Sequence, residues 1–251
     1  MFPIRDHNPS LGTPFVTWAL IAANIAVWLL MLPAFSDDAA MFRLLGDYGA
    51  IPARLSAGEG YHTLLTSMFM HGGLLHLAGN MVFLWVFGDN LEEQLGHLGF
   101  LAFYIAAGLG AVFGQYIAAP LSPIPMVGAS GAIAGVMGGY LLLFPRARVD
   151  VLFIFGIFFR ILPIPAWVVL GIWFAIQIIA GLAADLQAGG VAYWAHAGGF
   201  AVGLLWVIPV WLRRGGPAFW ARTHGHPAHP TARYAASSIP RVRRKRDGDH
   251  S

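Results

Sequence analysis

The stretch GASGAIAGVMGG, residues 128–139, places a single hydroxyl, that of Ser130, among glycines and alanines. Gly131, Gly135 and Gly139 recur every four residues, so they form a ladder of small residues on one face of a helix. Such ladders allow two membrane helices to pack closely, and Ser130 is then only another small residue. The alternative is that Ser130 is a nucleophile held where water is scarce.

The composition excludes an ordinary soluble domain. Of the 251 residues, 57% are hydrophobic and 11% are charged, against roughly 25% charged in a typical soluble domain. Because a helix needs about 20 mainly apolar residues to cross a bilayer, the composition predicts a polytopic membrane protein. Cysteine is absent, which excludes disulfides and thiolate metal ligands. Five long stretches contain no Asp, Glu, Lys or Arg: residues 8–36, 61–88, 98–145, 161–184 and 186–212.

These stretches predict an all-α membrane domain at residues 14–212. Residues 61–95 as one helix would be about 50 Å long, against a hydrocarbon core of about 30 Å. We therefore place a break at Gly72–Gly73 and assign residues 61–71 to a long first outer loop. Prolines at 120, 123 and 125 separate the third and fourth spans. The six expected spans are roughly 14–34, 73–94, 98–119, 127–144, 164–184 and 191–212.

The segments outside the spans predict the orientation. Residues 1–13 form an N-terminal segment, and the basic tail at 213–251 lacks periodicity, which predicts disorder. Six spans place both termini on one side, which receives 13 of the 15 Lys and Arg residues. Only Arg43 and Arg54 fall on the other side. By the positive-inside rule we expect both termini to be cytoplasmic, in the inner membrane of a bacterial cell.

Four polar residues inside the spans point to function, because polar groups are costly in hydrocarbon. They are His76, Asn80, Ser130 and His196. The second, fourth and sixth spans run in the same direction, and these residues all fall in the outer part of the bilayer, with Ser130 about one turn into its span. His76 and Asn80 are four residues apart and share one helix face. Three helices thus bring a hydroxyl, two imidazoles and an amide to one level.

Polar residues in a membrane can also have structural or metal-binding roles. Asn80 could form a hydrogen bond between helices, and Asn24 and Gln177, which each stand alone, are explained as well in this way. The two histidines could also be metal ligands or a proton relay. A metal site is the weaker hypothesis, because no carboxylate or thiolate completes a three-ligand set with His76 and His196.

The combination matches nucleophilic catalysis better. A serine becomes nucleophilic when a neutral histidine within hydrogen-bond reach takes its proton. An amide, an imidazole N–H and the Ser130 backbone N–H could stabilise the resulting oxyanion. Since no carboxylate inside the membrane is available to orient the base, we predict a Ser–His dyad and not a triad.

At these residues the sequence resembles the rhomboid family of intramembrane serine proteases, over roughly residues 14–212. The motif GASG, with Gly128 and Gly131 around the serine, is similar to the family's GxSG, and Ser130 matches the nucleophile. HAGGFAVG at 196–203 resembles the sixth-helix motif, in which His196 matches the general base. Gly199 and Gly203 are then expected to permit close contact with the fourth helix.

A third motif lies on the second span. HGGLLHLAGN at residues 71–80 resembles the family's HxxxxHxxxN, in which His76 and Asn80 match oxyanion residues. His71 matches a histidine that helps to fix the first loop. In some members a tyrosine one turn after the nucleophile stacks on the base, and here that residue is Ala134.

The resemblance implies an endopeptidase that cleaves transmembrane-helix substrates within or beside the lipid bilayer. It implies no metal, no cofactor and no nucleic acid partner. One rival is a non-catalytic rhomboid-like protein that binds membrane clients, although such members typically lose the serine or the histidine. A small transporter is the second rival, but it predicts internal repeats and polar residues at mid-depth, and the sequence shows neither.

Overall fold

A computed structural model of the protein describes residues 2–155, 158–185 and 189–226. The helices in these ranges are α1 (Phe15–Met31), α2 (Asp38–Tyr48), α3 (Pro52–Ser56), α4 (Thr63–Thr66), α5 (Leu74–Leu95), α6 (His97–Ala118), α7 (Ser130–Leu143), α8 (Ala166–Ala183), α9 (Tyr193–Arg213) and α10 (Pro217–Thr223). The strands are β1 (Phe2–Asp6), β2 (Arg148–Phe155) and β3 (Phe158–Pro165).

The long helices make this an integral membrane protein. In the described ranges four helical segments are long and apolar enough to cross a bilayer: Phe15–Ser36, α6, α8 and α9. A fifth candidate is α5 taken together with Thr63–Phe69, from which it is bent by 94°. This bend lies at the predicted Gly72–Gly73 break. With 14 residues, α7 is about 21 Å long and shorter than a hydrocarbon core. The count of six spans therefore stays a prediction.

The expectation of an all-α domain is wrong, because the chain also forms a three-stranded antiparallel sheet in the order β1-β2-β3. The hairpin of β2 and β3 pairs Arg148 with Pro165 and Phe155 with Phe158. Val149 and Val151 are fully buried. The segment is apolar enough to be mistaken for the flank of a span, but its β-branched and aromatic residues favour a strand.

Two segments outside the spans are more regular than the sequence predicts. The first loop, between α1 and α5, contains the short helices α2, α3 and α4. Helix α10 lies within the tail that was predicted to be disordered, so the first part of that tail is helical. The rest of the tail, from residue 227, lies outside the described residues.

Helix α7 is held tightly between α6 and α9 by glycines. A Cβ atom on Gly199 would overlap the carbonyl oxygen of Gly131, and one on Gly203 would overlap the backbone of Gly135. On the other side, a Cβ atom on Gly131 would collide with that of Ala111 in α6. The small-residue ladder therefore brings the backbones of α7 and α9 into direct contact, which places the start of α7 beside the start of α9.

Candidate active site

Ser130 is the first residue of α7. The expectation that it lies one turn inside the helix is therefore wrong, because the turn at residues 127–129 precedes the helix. The first backbone bond recorded at this end is donated by the Ile133 N–H to the Ala129 carbonyl. The N–H groups of the first turn, including that of Ser130, have no intrahelical acceptor, which is the usual condition of a helix N-terminus. This end of α7 is consequently suited to stabilise negative charge.

His196, in the first turn of α9, forms a hydrogen bond with Ser130. The distance from its Nε2 to Ser130 Oγ is 2.8 Å. This is the arrangement in which a neutral imidazole can accept the proton of a hydroxyl that becomes a nucleophile. The close contact of α7 and α9 at Gly131 and Gly199 is what brings the two side chains within reach.

His76, in the first turn of α5, lies on the other side of the serine. A Cβ atom on Gly128 would be 2.8 Å from His76 Nε2 and 3.6 Å from Ser130 Oγ. Any larger residue at position 128 would therefore fill the space between the imidazole and the hydroxyl. Gly128 also has a φ of +125°, which is unfavourable for residues with a side chain.

The other two residues of the α5 motif are buried. Asn80 is 7% exposed, and its Nδ2 has no hydrogen-bond partner among the described residues. It is not among the residues that line the cavity around Ser130. His71 is fully buried and packs edge-to-face on His76, with ring centroids 5.0 Å apart. Its Nδ1 is 3.3 Å from the Phe69 carbonyl oxygen, so it connects the first loop to the site.

Ser130, His196 and His76 line one open cavity of about 910 Å³. Its walls come from the loop that precedes α7, the last turns of α8 and the segment that leads into α9. The cavity therefore reaches the Ser130 hydroxyl directly. Among the described residues, no group of three or more His, Cys, Asp or Glu side chains is arranged to hold a metal ion. The absence of a metal or cofactor stays a prediction.

Two residues of α8 contact His196, and the sequence pattern indicated neither contact. Gln177 Oε1 lies 2.8 Å from His196 Nδ1, and the Trp173 ring lies 5.6 Å from the imidazole. Gln177 therefore does not stand alone, whereas the helix–helix hydrogen bond expected for it is confirmed between α8 and α9. The depth of the two residues in the bilayer could have predicted this contact. Gln177 lies under two turns from the end of α8, and His196 lies in the first turn of the antiparallel α9. Ala134 is fully buried, and the aromatic ring recorded against His196 is that of Trp173 in α8.

Comparison with known proteins identifies the family. The Rhomboid domain family matches residues 58–213, which is more than half of the chain and includes all three motifs. The chain belongs to the rhomboid family.

Several curated relatives also support the assignment of the chain to the rhomboid family. It is 33% identical to Rhomboid protein 1, mitochondrial, of Saccharomyces cerevisiae over 200 residues, which are 76% of this chain and 52% of the relative. It is 34% identical to Rhomboid protease GluP of Bacillus subtilis over 130 residues, 52% of this chain and 25% of the relative. RHOMBOID-like protein 5 of Arabidopsis thaliana is 30% identical over 170 residues, 55% of each chain. The chain thus spans a quarter to about half of the length of these relatives.

Proposed function

We propose that this rhomboid is an intramembrane serine endopeptidase that cleaves transmembrane-helix substrates. The observation that carries the proposal is the 2.8 Å hydrogen bond between His196 Nε2 and Ser130 Oγ, in a cavity that also exposes His76. Relatives whose names include rhomboid protease support the same activity. The proposal assigns Ser130 as nucleophile and His196 as general base and acid.

The reaction has two halves. Ser130 Oγ attacks the carbonyl carbon of the scissile peptide, its proton passes to His196 Nε2, and the C=O electron pair moves to the oxygen. When the tetrahedral intermediate collapses, the C–N bond breaks and His196 gives its proton to the departing amine. In the second half His196 takes a proton from water as the water oxygen attacks the acyl carbon. The second tetrahedral intermediate then collapses, the bond from the acyl carbon to Ser130 Oγ breaks, and His196 returns the proton to Oγ. The net reaction is hydrolysis of one peptide bond.

Three donors are proposed for the oxyanion. The Ser130 backbone N–H is unpaired at the start of α7, and the positive end of the helix dipole adds to its effect. His76 borders the space beside Gly128. Asn80 has an unpaired Nδ2, but it lies outside the cavity lining, so its contribution is expected to be the smallest.

The orientation is proposed from the basic residues. We infer six spans with both termini cytoplasmic, which places the cavity at the outer side of the bilayer. Water would then reach Ser130 from outside, and a substrate helix would approach sideways from the lipid. Transmembrane proteins and the bilayer are the proposed partners.

A single assay distinguishes this function from client binding without cleavage. Purified protein is reconstituted in vesicles with a fluorescently labelled single-span membrane protein that carries helix-destabilising residues near its outer end. We expect cleavage by the wild type and none by Ser130→Ala, which removes one oxygen and keeps the helix start. Binding of the substrate by both proteins, with no cleavage by either, would support the non-catalytic rival and contradict the proposal.

A further inference from the structure

The Gln177 side chain lies on the side of His196 that faces away from the serine. Its Oε1 is 2.8 Å from His196 Nδ1, and its Nε2 donates to the Trp173 carbonyl oxygen at 3.2 Å. Gln177 is 7% exposed, so water does not compete strongly for either bond. Its amide is therefore held at both ends.

The bond to Trp173 fixes which end of the amide meets the histidine. A backbone carbonyl only accepts hydrogen bonds, so the NH₂ group of Gln177 must face Trp173. The amide oxygen then faces His196 Nδ1 and can only accept, which requires the imidazole proton to be on Nδ1. Nε2 consequently presents its lone pair to Ser130 Oγ. The tautomer assigned from this hydrogen-bond network is the one that a general base needs.

We propose that Gln177 is a positioning residue that holds His196 in the tautomer and orientation needed to take the Ser130 proton. The inference rests on the proposed function and replaces the expected dyad with a chain of three side chains, Ser130–His196–Gln177. Gln177 touches neither substrate nor the reacting atoms. A neutral amide orients the ring but does not compensate the charge of the imidazolium, so its effect is smaller than that of the buried aspartate of a Ser–His–Asp triad.

The neighbouring turn of α8 supports the same role. Trp173 is four residues before Gln177 and therefore on the same helix face. Its ring lies 5.6 Å from His196 and 6.3 Å from Phe200, the residue one turn further along α9. One face of α8 thus limits rotation of the imidazole by a hydrogen bond at its edge and by aromatic packing against the ring.

The competing role for this contact is a structural bond that only attaches α8 to α9. The two roles differ in what a substitution changes. Loss of a structural bond lowers stability, whereas loss of a positioning bond lowers kcat in molecules that remain folded and bind substrate normally. An acceptor restored at the same place rescues kcat only if positioning is the role.

The experiment compares Gln177→Met with Gln177→Glu. Methionine has a similar length but no amide oxygen, while glutamate retains an oxygen that can accept the Nδ1 proton. Asn24→Leu is the matched control, because Asn24 is also a buried amide in a predicted span, bonds to the Leu20 carbonyl of its own helix and does not line the cavity. We would measure kcat and KM for the vesicle substrate, together with the melting temperature of each protein.

We expect Gln177→Met to lower kcat by roughly 10- to 100-fold, by analogy with the range seen when the hydrogen-bond partner of a metal-ligating histidine is removed. KM should change by less than about twofold, and Gln177→Glu should recover kcat to within about fivefold of wild type. Asn24→Leu should leave kcat unchanged even where it lowers the melting temperature. Full kcat in Gln177→Met, or equal losses in both Gln177 variants, would overturn the proposal.

A second readout does not depend on activity. The ¹⁵N NMR spectrum of His196 in labelled protein reports which ring nitrogen carries the proton. We expect a protonated Nδ1 in the wild type and a mixture of tautomers in Gln177→Met. An unprotonated Nδ1 in the neutral imidazole of the wild type would overturn the inference. If the wild type shows the expected tautomer but cleaves nothing, the proposed function fails and the assignment of the Gln177 bond stands.

Discussion

Two of the histidine pairs in the molecule lie at opposite ends of the helix bundle. At the start of α7, His196 pairs with the hydroxyl of Ser130 at 2.8 Å. At the end of α5, His97 pairs with the carboxylate of Glu92 at 2.6 Å. The second pair is the stronger kind of interaction, since it is charge-assisted when the histidine is protonated, yet we assign catalysis to the first.

The difference lies in what else the partners bind. Glu92 also accepts hydrogen bonds from the Val16 N–H, the Thr17 N–H and the Thr17 hydroxyl. These are first-turn groups of α1, whose N-cap residue Pro14 offers no side-chain cap. Glu92 thus caps α1 with both of its oxygens. Ser130, in contrast, has His196 as its recorded side-chain partner and faces an open cavity.

The comparison teaches that the number of unused bonding sites distinguishes a reactive polar group from a structural one. Both oxygens of Glu92 are already bonded, whereas Ser130 keeps bonding capacity that faces the open cavity. Among the described residues, buried groups without a hydrogen-bond partner occur at both ends, for example Nδ2 of Asn80 and Oδ1 of Asn90. Since such groups cost free energy wherever they lie, a missing partner alone does not identify the site.

The largest expected effect is the loss of either member of the proposed catalytic pair, Ser130 and His196. Ser130→Ala and His196→Ala should each lower kcat by on the order of 10⁴-fold or more while the protein remains folded. Because the two residues act as a unit, the double variant should be little worse than either single variant. Cleavage rates in vesicles measure this. Losses that multiply in the double variant would show that the two residues do not cooperate.

The next largest effect tests the helix contact that creates the pair. Gly199→Val would force α9 away from the Gly131 carbonyl, and a displacement of about 1 Å can cost on the order of 100-fold in rate. Gly171→Val in α8 is the matched control, because a Cβ atom at Gly171 has nothing within 4 Å. The comparison of kcat for the two folded variants is the measurement. Equal activities would refute the role of the close contact.

Removal of the proposed oxyanion donors should be less damaging. Losing one donor typically costs on the order of 100- to 1000-fold, but the Ser130 backbone N–H covers part of the loss here. We expect roughly 10- to 100-fold for His76→Ala and less for Asn80→Ala, which lies outside the cavity lining. Gly79→Ala, between them on α5 and facing open space, should be neutral. Full proteolysis by His76→Ala would make His76 a structural residue.

Substitution in the structural pair of Glu92 and His97 should lower stability and leave kcat unchanged. Glu92→Gln leaves donors of α1 without an anionic acceptor and should lower stability by about 2 kcal/mol. The kcat of the remaining folded protein should be unchanged. Glu93→Gln is the control, since Glu93 accepts one recorded bond, from the Leu11 N–H at an exposed position. Melting temperatures measure the difference. A drop in kcat without a drop in stability would contradict the assignment of Glu92 as a cap.

The smallest expected effect is the pH dependence of stability that Asp6 causes, at the same end of the molecule as Glu92. Burial, with a contribution from nearby Asp89, raises the pKa of Asp6 in β1 from 3.8 to about 7, although the Tyr140 hydroxyl donates to it. The folded state therefore holds this proton more tightly than the unfolded state, and stability falls as pH rises from about 4 to about 7.

Asp6→Asn cannot ionise and should remove that decline. For a fully buried group, a rise in pKa from 3.8 to about 7 would be worth about 4 kcal/mol. Asp6 is only partly buried, so solvent screening reduces the expected gain over wild type to on the order of 1 kcal/mol at pH 8 relative to pH 4. Melting curves at the two pH values test this. If both proteins show the same pH dependence, Asp6 is not buried as the structure places it.

Much of this architecture is predictable from sequence, because span length and residue depth depend on position along one helix. The expected depth of each residue in its span was enough to predict that Ser130, His76 and His196 lie at one level. The bond of Gln177 to His196 also requires the rotation of α8 about its axis, which no single span encodes. The β2–β3 hairpin was missed because hydropathy measures how apolar a segment is and not whether it is extended. The helix start at Ser130 depends on the turn at Gly128, where a positive φ ends the preceding segment.

The most direct test is covalent labelling with a fluorophosphonate followed by peptide mass spectrometry. Only an activated serine reacts quickly with this probe, and cleavage of a substrate is not required. We predict an adduct on Ser130 in the wild type, much slower labelling in His196→Ala, and wild-type labelling in Glu92→Gln. An unlabelled Ser130 in folded wild-type protein, or equal labelling rates with and without His196, would contradict the account.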